Sequence, residues 1–398
     1  MTLAQLASAQ EALRYSMAGQ AAAEARRLAL ENQNFNVKLG PVALRLSGSL
    51  GLEATDNVRL SENDPEADLS FRPQLDVLAF WRVTEKNNLS LGMGIGYLKY
   101  LNAKDYDRFF ITPDTDLAFD RYVGDFTINL HDRFLYTSDV ATDPTVSGTG
   151  SLARFENLAG FNVVWDLNQA FISAGYDHQS YIATESVNDY LTHSSELLTA
   201  MVGFHLRPTV DAGLQVGGGL LDYQTPSESY PNDQHISFGP FVEAKVSEYT
   251  AVTLAGGYVA YFIEAQGTNA PSNLDAFYLD CSLRQRVGDL LSHTLSFGRS
   301  VQTYISSGLL DLWQVRHTAN WNILRHTGVS TTLSYEHGTE TGGSGEILDR
   351  YGAGISFSRT LTEHASGSLG YQFYLKNSDL PGNSYAQNRL VLNVTYRF

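Results

Sequence analysis

One cysteine, Cys281, stands in 398 residues. That excludes an internal disulfide and any multi-cysteine metal centre. Long hydrophobic runs are missing too. No stretch approaches the roughly 18 consecutive apolar residues of a spanning helix, and mean hydropathy is below zero, which excludes a helical membrane protein. A membrane β-barrel escapes this test, because only alternate residues of its strands meet lipid. Positive charge is scarce: 27 Lys and Arg face 43 Asp and Glu, a net charge of −16. Nucleic acid is therefore excluded as a partner, since phosphate binding needs concentrated basic side chains, and the acidic excess reads as solvated loops. A complete export signal, with its basic segment and apolar run, is also lacking. Leu6-Ala7-Ser8-Ala9 before Gln10 nevertheless resembles a small-residue cleavage site, so the sequence is expected to begin late in an export leader. What remains is rich in aromatics (12%), with 34 Gly and 22 Tyr, the profile of a β protein.

The last ten residues carry the clearest pattern. Leu390, Leu392, Val394, Tyr396 and Phe398 alternate with Val391, Asn393, Thr395 and Arg397, which is strand periodicity. The chain stops on an aromatic, where the last strand of an outer-membrane barrel places one at headgroup level. Tyr396 and Phe398 resemble the aromatic pair of the outer-membrane assembly signal. The usual signal has Gly where Asn393 stands and a polar residue where Val391 stands.

From residue 41 the chain repeats an alternating run followed by a tight polar turn or a longer Asp, Asn, Ser and Gly segment. In the second run Leu69, Phe71, Pro73, Leu75, Val77, Ala79 and Trp81 share one face, and Ser70, Arg72, Gln74 and Asp76 the other. Pro73 lacks a ladder donor and predicts a bulge or a local gap. Gly92, Gly94 and Gly96, then Gly213, Gly217 and Gly219, then Gly352 and Gly354, fall on the inner face and favour a strongly curved wall. Short and long connections alternate throughout, provided residues 107–137 divide at Val123-Gly124-Asp125 into strands 107–122 and 126–137. The fold class expected is all-β: a transmembrane antiparallel β-barrel of about 18 strands over residues 41–398, in the outer membrane, with both termini periplasmic. Residues 1–40 form a separate segment of helical composition (Ala, Leu, Glu, Gln, Arg) over residues 3 to about 32. It would lie across the barrel mouth, plug the lumen, or remain as a leader partly left from processing; these three stay open.

Having the segments "LEATDNVRLSENDPEADLSFRPQL", "DFTINLHDRFLY", "NLAGFNVVWDLNQAFISAGYDHQSY" and "LPGNSYAQNRLVLNVTYRF" in view, the chain resembles the β-barrel porin family of the second type, over residues 41–398. The resemblance implies an outer-membrane pore or a polysaccharide-associated barrel, and no catalytic signature.

The chemistry-bearing residues do not assemble into an active site. Glu336-His337 and His131-Asp132 are adjacent pairs whose members point to opposite faces. The acid next to His364, Glu363, belongs to a turn and points away from His364, Ser366 and Ser368. "GGSG" at 342–345 lacks the lysine of a phosphate loop, and the ten His have no metal-ligand spacing. No enzyme, cofactor or metal is expected. The inner-face charges are the candidate site: Arg72, Asp76, Arg133, Glu243, Asp280, Arg284, Arg286, Arg316, Arg350 and Arg389, with Arg284 and Arg286 beside Asp280 foremost. They either pair across strands and fill the lumen or line a wet passage and set its selectivity. The leading expectation is a porin-like channel for passive diffusion of small hydrophilic solutes. The alternative is a barrel component of polysaccharide export or surface assembly. Expected partners are outer-membrane lipid and the barrel assembly machinery, with a second copy of the chain and a polysaccharide left open.

Overall fold

The computed structural model describes residues 35–140, 143–264, 273–304, 307–341 and 345–398. The expected helix over residues 3 to about 32 lies outside the described residues. In chain order the strands are β1 (Val37–Leu39), β2 (Val42–Thr55), β3 (Asp68–Thr84), β4 (Asn87–Tyr100), β5 (Arg108–Ile111), β6 (Asp116–Val123), β7 (Phe126–Thr137), β8 (Arg154–Asp166), β9 (Ala170–Ala183) and β10 (His193–Arg207). They continue as β11 (Val210–Tyr223), β12 (Asp233–Ser247), β13 (Thr250–Ile263), β14 (Leu274–Val287), β15 (Leu291–Tyr304), β16 (Ser307–Leu324), β17 (Thr327–Thr341), β18 (Ile347–Thr360), β19 (Ala365–Ser378) and β20 (Tyr385–Arg397). Apart from β5 and β6, consecutive strands pair antiparallel, and β20 pairs with β2, Ser47 opposite Arg397 through Thr55 opposite Arg389. The sheet is thereby a closed barrel with no free edge, the only way a sheet satisfies its whole backbone away from water.

Two of the 20 strands add no wall position. β5 and β6 both pair with β4 on one side and β7 on the other, so they are one interrupted strand. β1 is a short arm on β2 alone. Twenty less two leaves an 18-stranded wall. The interruption falls where Pro113 removes a donor; Thr112–Thr115 turns, with the Thr115 N–H bonded to the Thr112 carbonyl at 3.1 Å. The predicted division at 123–125 is present, with Gly124 at φ +58°. Two expectations need correction. The 1–40 segment gives way to strand earlier than Pro41, because Val37–Leu39 already pairs with Val42–Leu44 around Gly40 at φ +58°, a left-handed turn that suits glycine. The break expected near 303–310 is narrower than that among the described residues, since Gln302 opposes Leu310, Thr303 opposes Leu309 and Tyr304 opposes Ser307.

Pro73 produces a gap, not a bulge. The β3–β4 register passes from Phe71 opposite Lys99 to Gln74 opposite Gly96 without a shift. The space beside it is taken from inside: a Cβ on Gly96 would meet the Phe110 ring and lie 2.6 Å from the Pro73 carbonyl. Gly96 therefore seats Phe110 against the proline-broken ladder.

Along each strand the two faces differ as period two requires. Outside, large apolar side chains are bare, for example Leu198 at 61%, Leu214 at 64% and Phe238 at 59% exposure. Cys281 sits on this face between Leu279 and Leu283, partly exposed. Outward aromatics gather in two bands. Near the short-turn rim stand Trp81, Trp165, Phe204, Trp321, Phe357 and Tyr396, with Phe126 stacked on Trp165 at 5.3 Å. Toward the long-loop rim stand Tyr97, Tyr176, Tyr258, Trp313, Tyr335 and Tyr371. Trp313 and Trp321, both on β16, are eight positions apart (321 less 313). That is about 27 Å of strand at ~3.4 Å per residue, or roughly 21 Å of height at a tilt near 40°, close to the ~25 Å apolar band of a membrane barrel.

Candidate functional site: the loop-narrowed lumen

The inward face is polar at both ends and crossed by side chains between. Gln215 on β11 donates to the Tyr278 hydroxyl on β14 at 3.1 Å, reaching over β12 and β13. Gly239 and Gly257 make this span open: each lacks the Cβ that would collide with the other's backbone, at 2.7 Å from its Cα. Met201, Phe241 and Ala255 pack beside that bridge, with Phe171 against them. At the short-turn rim the inner face of β16–β20 carries small hydroxyl and amide groups instead. A recess of about 650 Å³ opens there, lined among others by Asn322, Ser358, Ser366, Ser368, Asn393 and Thr395.

In the segment between β7 and β8, the described residues 138–140 and 143–153 turn inward and dock on the wall at β19 and β20. Its Val140 and Val146 join Leu60 and Tyr385 in one buried apolar cluster. Lys376, on the inner face of β19 and fully buried, fixes it in place. Its Nζ lies 2.9 Å from Glu346, donates to the Thr145 carbonyl at 3.2 Å and reaches the Ser147 hydroxyl at 3.0 Å. Asp143 is within electrostatic reach of Lys376, and Asp139 of Arg389. Arg154 closes the base of the loop, bonding the Asp139 carbonyl at 2.9 Å and Glu156 at 2.6 Å. The loop's Asp143 and Asp139 thus face Lys376 and Arg389, wall cations already paired with Glu346 and Glu53, with apolar contacts supplying the rest of the attachment.

The structure places the candidate charges in different circumstances. Arg350 is bonded to Glu336 at 2.6 Å, and Arg316 approaches the same carboxylate at 3.7 Å, joining β18, β17 and β16. Arg389 forks onto Glu53 at 2.9 and 2.8 Å across the β20–β2 closure. Arg133 lies 3.5 Å from Asp116. Asp76 accepts from Gln74 at 2.6 Å, and Arg72 stacks over the Phe110 ring at 4.3 Å. Glu243 shares its register row with Asp211 and Thr253. Arg286 lies over Tyr249 at 5.3 Å, at the short-turn rim. Asp280 is buried at 7% exposure beside Gly298. Among the described residues no hydrogen bond or ion pair joins Asp280 to Arg284 or Arg286, so that trio is not brought together. The adjacent pairs do diverge as expected: His131 faces in and bonds Asp177 at 2.6 Å, while Asp132 faces out to Asn157 at 2.5 Å. Glu336 faces in, and His337 faces out to Asp349 at 2.9 Å. Lys376, Glu346, Glu53, Arg154 and Arg108 were not among the residues expected. The inward phase of β19, the same test that selected Arg350, places Lys376 on this face.

Beyond the loop, at the long-loop rim, a second recess of about 320 Å³ lies between residues 105–108, 149–152 and 185–188. Arg108 and Glu185 bridge it at 2.7 Å. Outside the apolar band in the same region, Asp107 accepts from the Tyr100 N–H at 2.7 Å and pairs with Lys99 at 3.0 Å. Burial pushes the Asp107 carboxyl up, but that N–H and the Lys99 ammonium outweigh it and hold the group below its ordinary value.

No family model matches this chain, and no curated protein does. Solved structures that match this chain include outer-membrane proteins of Pseudomonas aeruginosa. The chain is similar to OccK5 (OpdH), with TM-score 0.51 and 9% identity over 90% of this chain and 99% of that one. It is equally similar to OpdQ, with TM-score 0.51 and 9% identity over 90% of this chain and all of that one. A structure of OpdK with vanillate matches with TM-score 0.50 and 12% identity over 89% and 99% of the two chains. At these identities the likeness is one of fold.

Proposed function

We propose that the protein is an outer-membrane channel through which small hydrophilic solutes diffuse passively, narrowed by the inward loop 138–153 and performing no bond chemistry. The observation that carries this reading is the closed wall itself. Its outer face is predominantly apolar between two aromatic bands, with few polar interruptions such as Asp132 with Asn157 and His293 with His317, a surface that soluble monomers do not expose on this scale. Its inner face is polar and charged. An 18-stranded wall is wide enough for an aqueous passage, and the recess at the short-turn rim provides a vestibule. Short turns at one rim and long loops at the other support a periplasmic position for the short-turn rim, and with it for Asn36 and Phe398, which meet there through a hydrogen bond from the Asn36 amide to the terminal backbone. Tyr396 and Phe398 act as the signal read by the barrel assembly machinery. Selectivity belongs to the inward charges that face the passage, Arg72, Glu243, Arg284 and Arg286. Arg133, Arg316, Arg350 and Arg389 brace the wall. Planar-bilayer recording of the purified chain tests the reading. Steady conductance whose anion preference falls in Arg284→Ala supports it, and a silent bilayer refutes it.

The second reading, a barrel of polysaccharide export or surface assembly, rests on the four sequence segments that resemble the second-type porin family. It predicts a barrel silent in bilayers that retains extracellular polysaccharide in pull-down.

A further inference from the structure

The outer wall presents an imidazole at a depth that only hydrocarbon reaches. His317 lies on the outer face of β16, four positions from Trp313 and four from Trp321, the aromatics that bracket the apolar band on that strand. About 13 Å of strand separates it from either one, which is the middle of the band. Leu295 and Leu333 stand directly beside it on β15 and β17, 42% and 55% exposed. Among the described residues His317 makes no hydrogen bond or ion pair, and its ring nitrogens are not sealed inside the wall as Nδ1 of His293 is. The His293 ring lies 5.6 Å away, its Nε2 3.1 Å from the Gln285 side-chain oxygen. The amide nitrogen of Gln285 is also without a partner among the described residues.

Lipid does not supply what these groups lack. Acyl chains offer neither donor nor acceptor, so a polar ring open to them at mid-band carries its desolvation cost unrelieved. Another protein surface at the same depth relieves it. A second copy of this chain inserts with the same orientation, and a two-fold axis along the membrane normal then sets a residue near the axis against its own image at its own depth. That condition selects side chains able to pair with themselves. Neutral imidazole qualifies, because one ring nitrogen donates and the other accepts, and so does the Gln285 amide; an ionised carboxylate, which only accepts, does not. The Asp132 carboxylate elsewhere on the outer face is already closed on Asn157 at 2.5 Å.

From this depth and this self-pairing we infer that the outer face of β14–β16 is the interface of a two-fold dimer of this chain. The His317 ring of one copy donates its N–H to the bare ring nitrogen of the other, and Leu295, Val315 and Leu333 pack around the pair. The inference rests on the lipid-facing wall and not on conduction. A fluorophore on residue 315, 317 or 319 exceeds the space at such a contact, so its lipid exposure is that of the separated barrel.

The test uses the full chain in phospholipid vesicles, on a Cys281→Ser background, over a range of protein-to-lipid ratios. Barrels labelled with donor and with acceptor are mixed and energy transfer is read. Asp289→Cys, in the turn between β14 and β15, should transfer strongly and saturably, and Glu85→Cys, in the β3–β4 turn on the far side of the wall, only weakly. His317→Leu, which suits lipid and so spares the fold, should weaken association about three- to tenfold, the worth of a hydrogen bond between spanning segments. His317→Gln, which keeps a donor and an acceptor, should retain it, and Leu198→Ala on β10 should change nothing. Transfer no greater than random mixing gives overturns the dimer and leaves this face to a different membrane protein. Equal transfer from residues 289 and 85, or an unchanged His317→Leu variant, overturns the assigned interface. A barrel that conducts while monomeric sinks this inference and leaves the channel standing. A silent dimer does the reverse.

Discussion

Replacing Lys376 with methionine keeps the length of the side chain and removes the charge that pins loop 138–153. Glu346, 6% exposed at its side chain, would then keep only the Ser378 hydroxyl at 2.6 Å and the Asn383 amide at 3.3 Å as side-chain donors. Stranding one member of a buried ion pair costs about 3–5 kcal/mol. The two surviving donors put this case near the lower end, about 3 kcal/mol, or roughly two orders of magnitude in the docking equilibrium. The wall does not depend on the loop, since each β19 neighbour is held by its own ladder. The expected result is therefore local. Hydrogen exchange in residues 138–153 accelerates about a hundredfold while β19 and β20 stay protected, and single-channel conductance rises with added noise. Adding Glu346→Gln, which leaves the Ser378 bond and removes the stranded charge, recovers most of the protection. Unchanged exchange and conductance in Lys376→Met would refute the claim that this contact holds the loop.

Gly96→Ala should lower the urea midpoint for unfolding from micelles by the equivalent of about 1–3 kcal/mol, the usual cost of overpacking. Gly354→Ala, whose Cβ meets nothing nearer than 3.7 Å, should leave it unchanged. Asp107 has a depressed folded-state value, so the stability it lends the long-loop rim is full above its unfolded value near pH 4 and disappears as pH falls through the lower folded value. Protection of residues 100–107, taken relative to the intrinsic exchange rate at each pH, should fall below about pH 4 in wild type, and in Asp107→Asn it should be equally low at pH 7 and pH 3. Phe398 projects from the rim and meets Tyr396 edge-on at 5.6 Å. Phe398→Ala should reduce the amount of barrel in outer membranes of expressing cells while leaving refolding in micelles intact.

Much of the wall was legible because strand periodicity is a local property. The alternation from Leu390 to Phe398, the turn at Val123-Gly124-Asp125 and the glycine seats each follow from a few neighbouring residues, and the closed barrel places them as read. Pro73 announced a broken ladder, and the ladder is broken there. What stayed hidden depends on distance along the chain. Lys376 and Ser147 are 229 positions apart, and no periodicity in residues 138–153 says that they turn inward and not out. The expectation centred on Asp280, Arg284 and Arg286 failed to become a contact for a simple reason. Inner positions four apart on one strand are separated by about 13 Å, so a charge finds its partner on the adjacent strand, as Arg350 finds Glu336. The carboxylates at Glu53 and Glu346 were visible in the sequence but needed the register to give them partners.

The decisive measurement is a labelling scan along β16 in lipid bilayers, on a Cys281→Ser background, with a fluorophore placed singly from Gln314 to Asn320. Brominated lipid should quench positions 315, 317 and 319, and aqueous iodide should quench 314, 318 and 320. Loss of that two-residue alternation, or iodide reaching both sets equally, would contradict a wall with hydrocarbon on one side and water on the other.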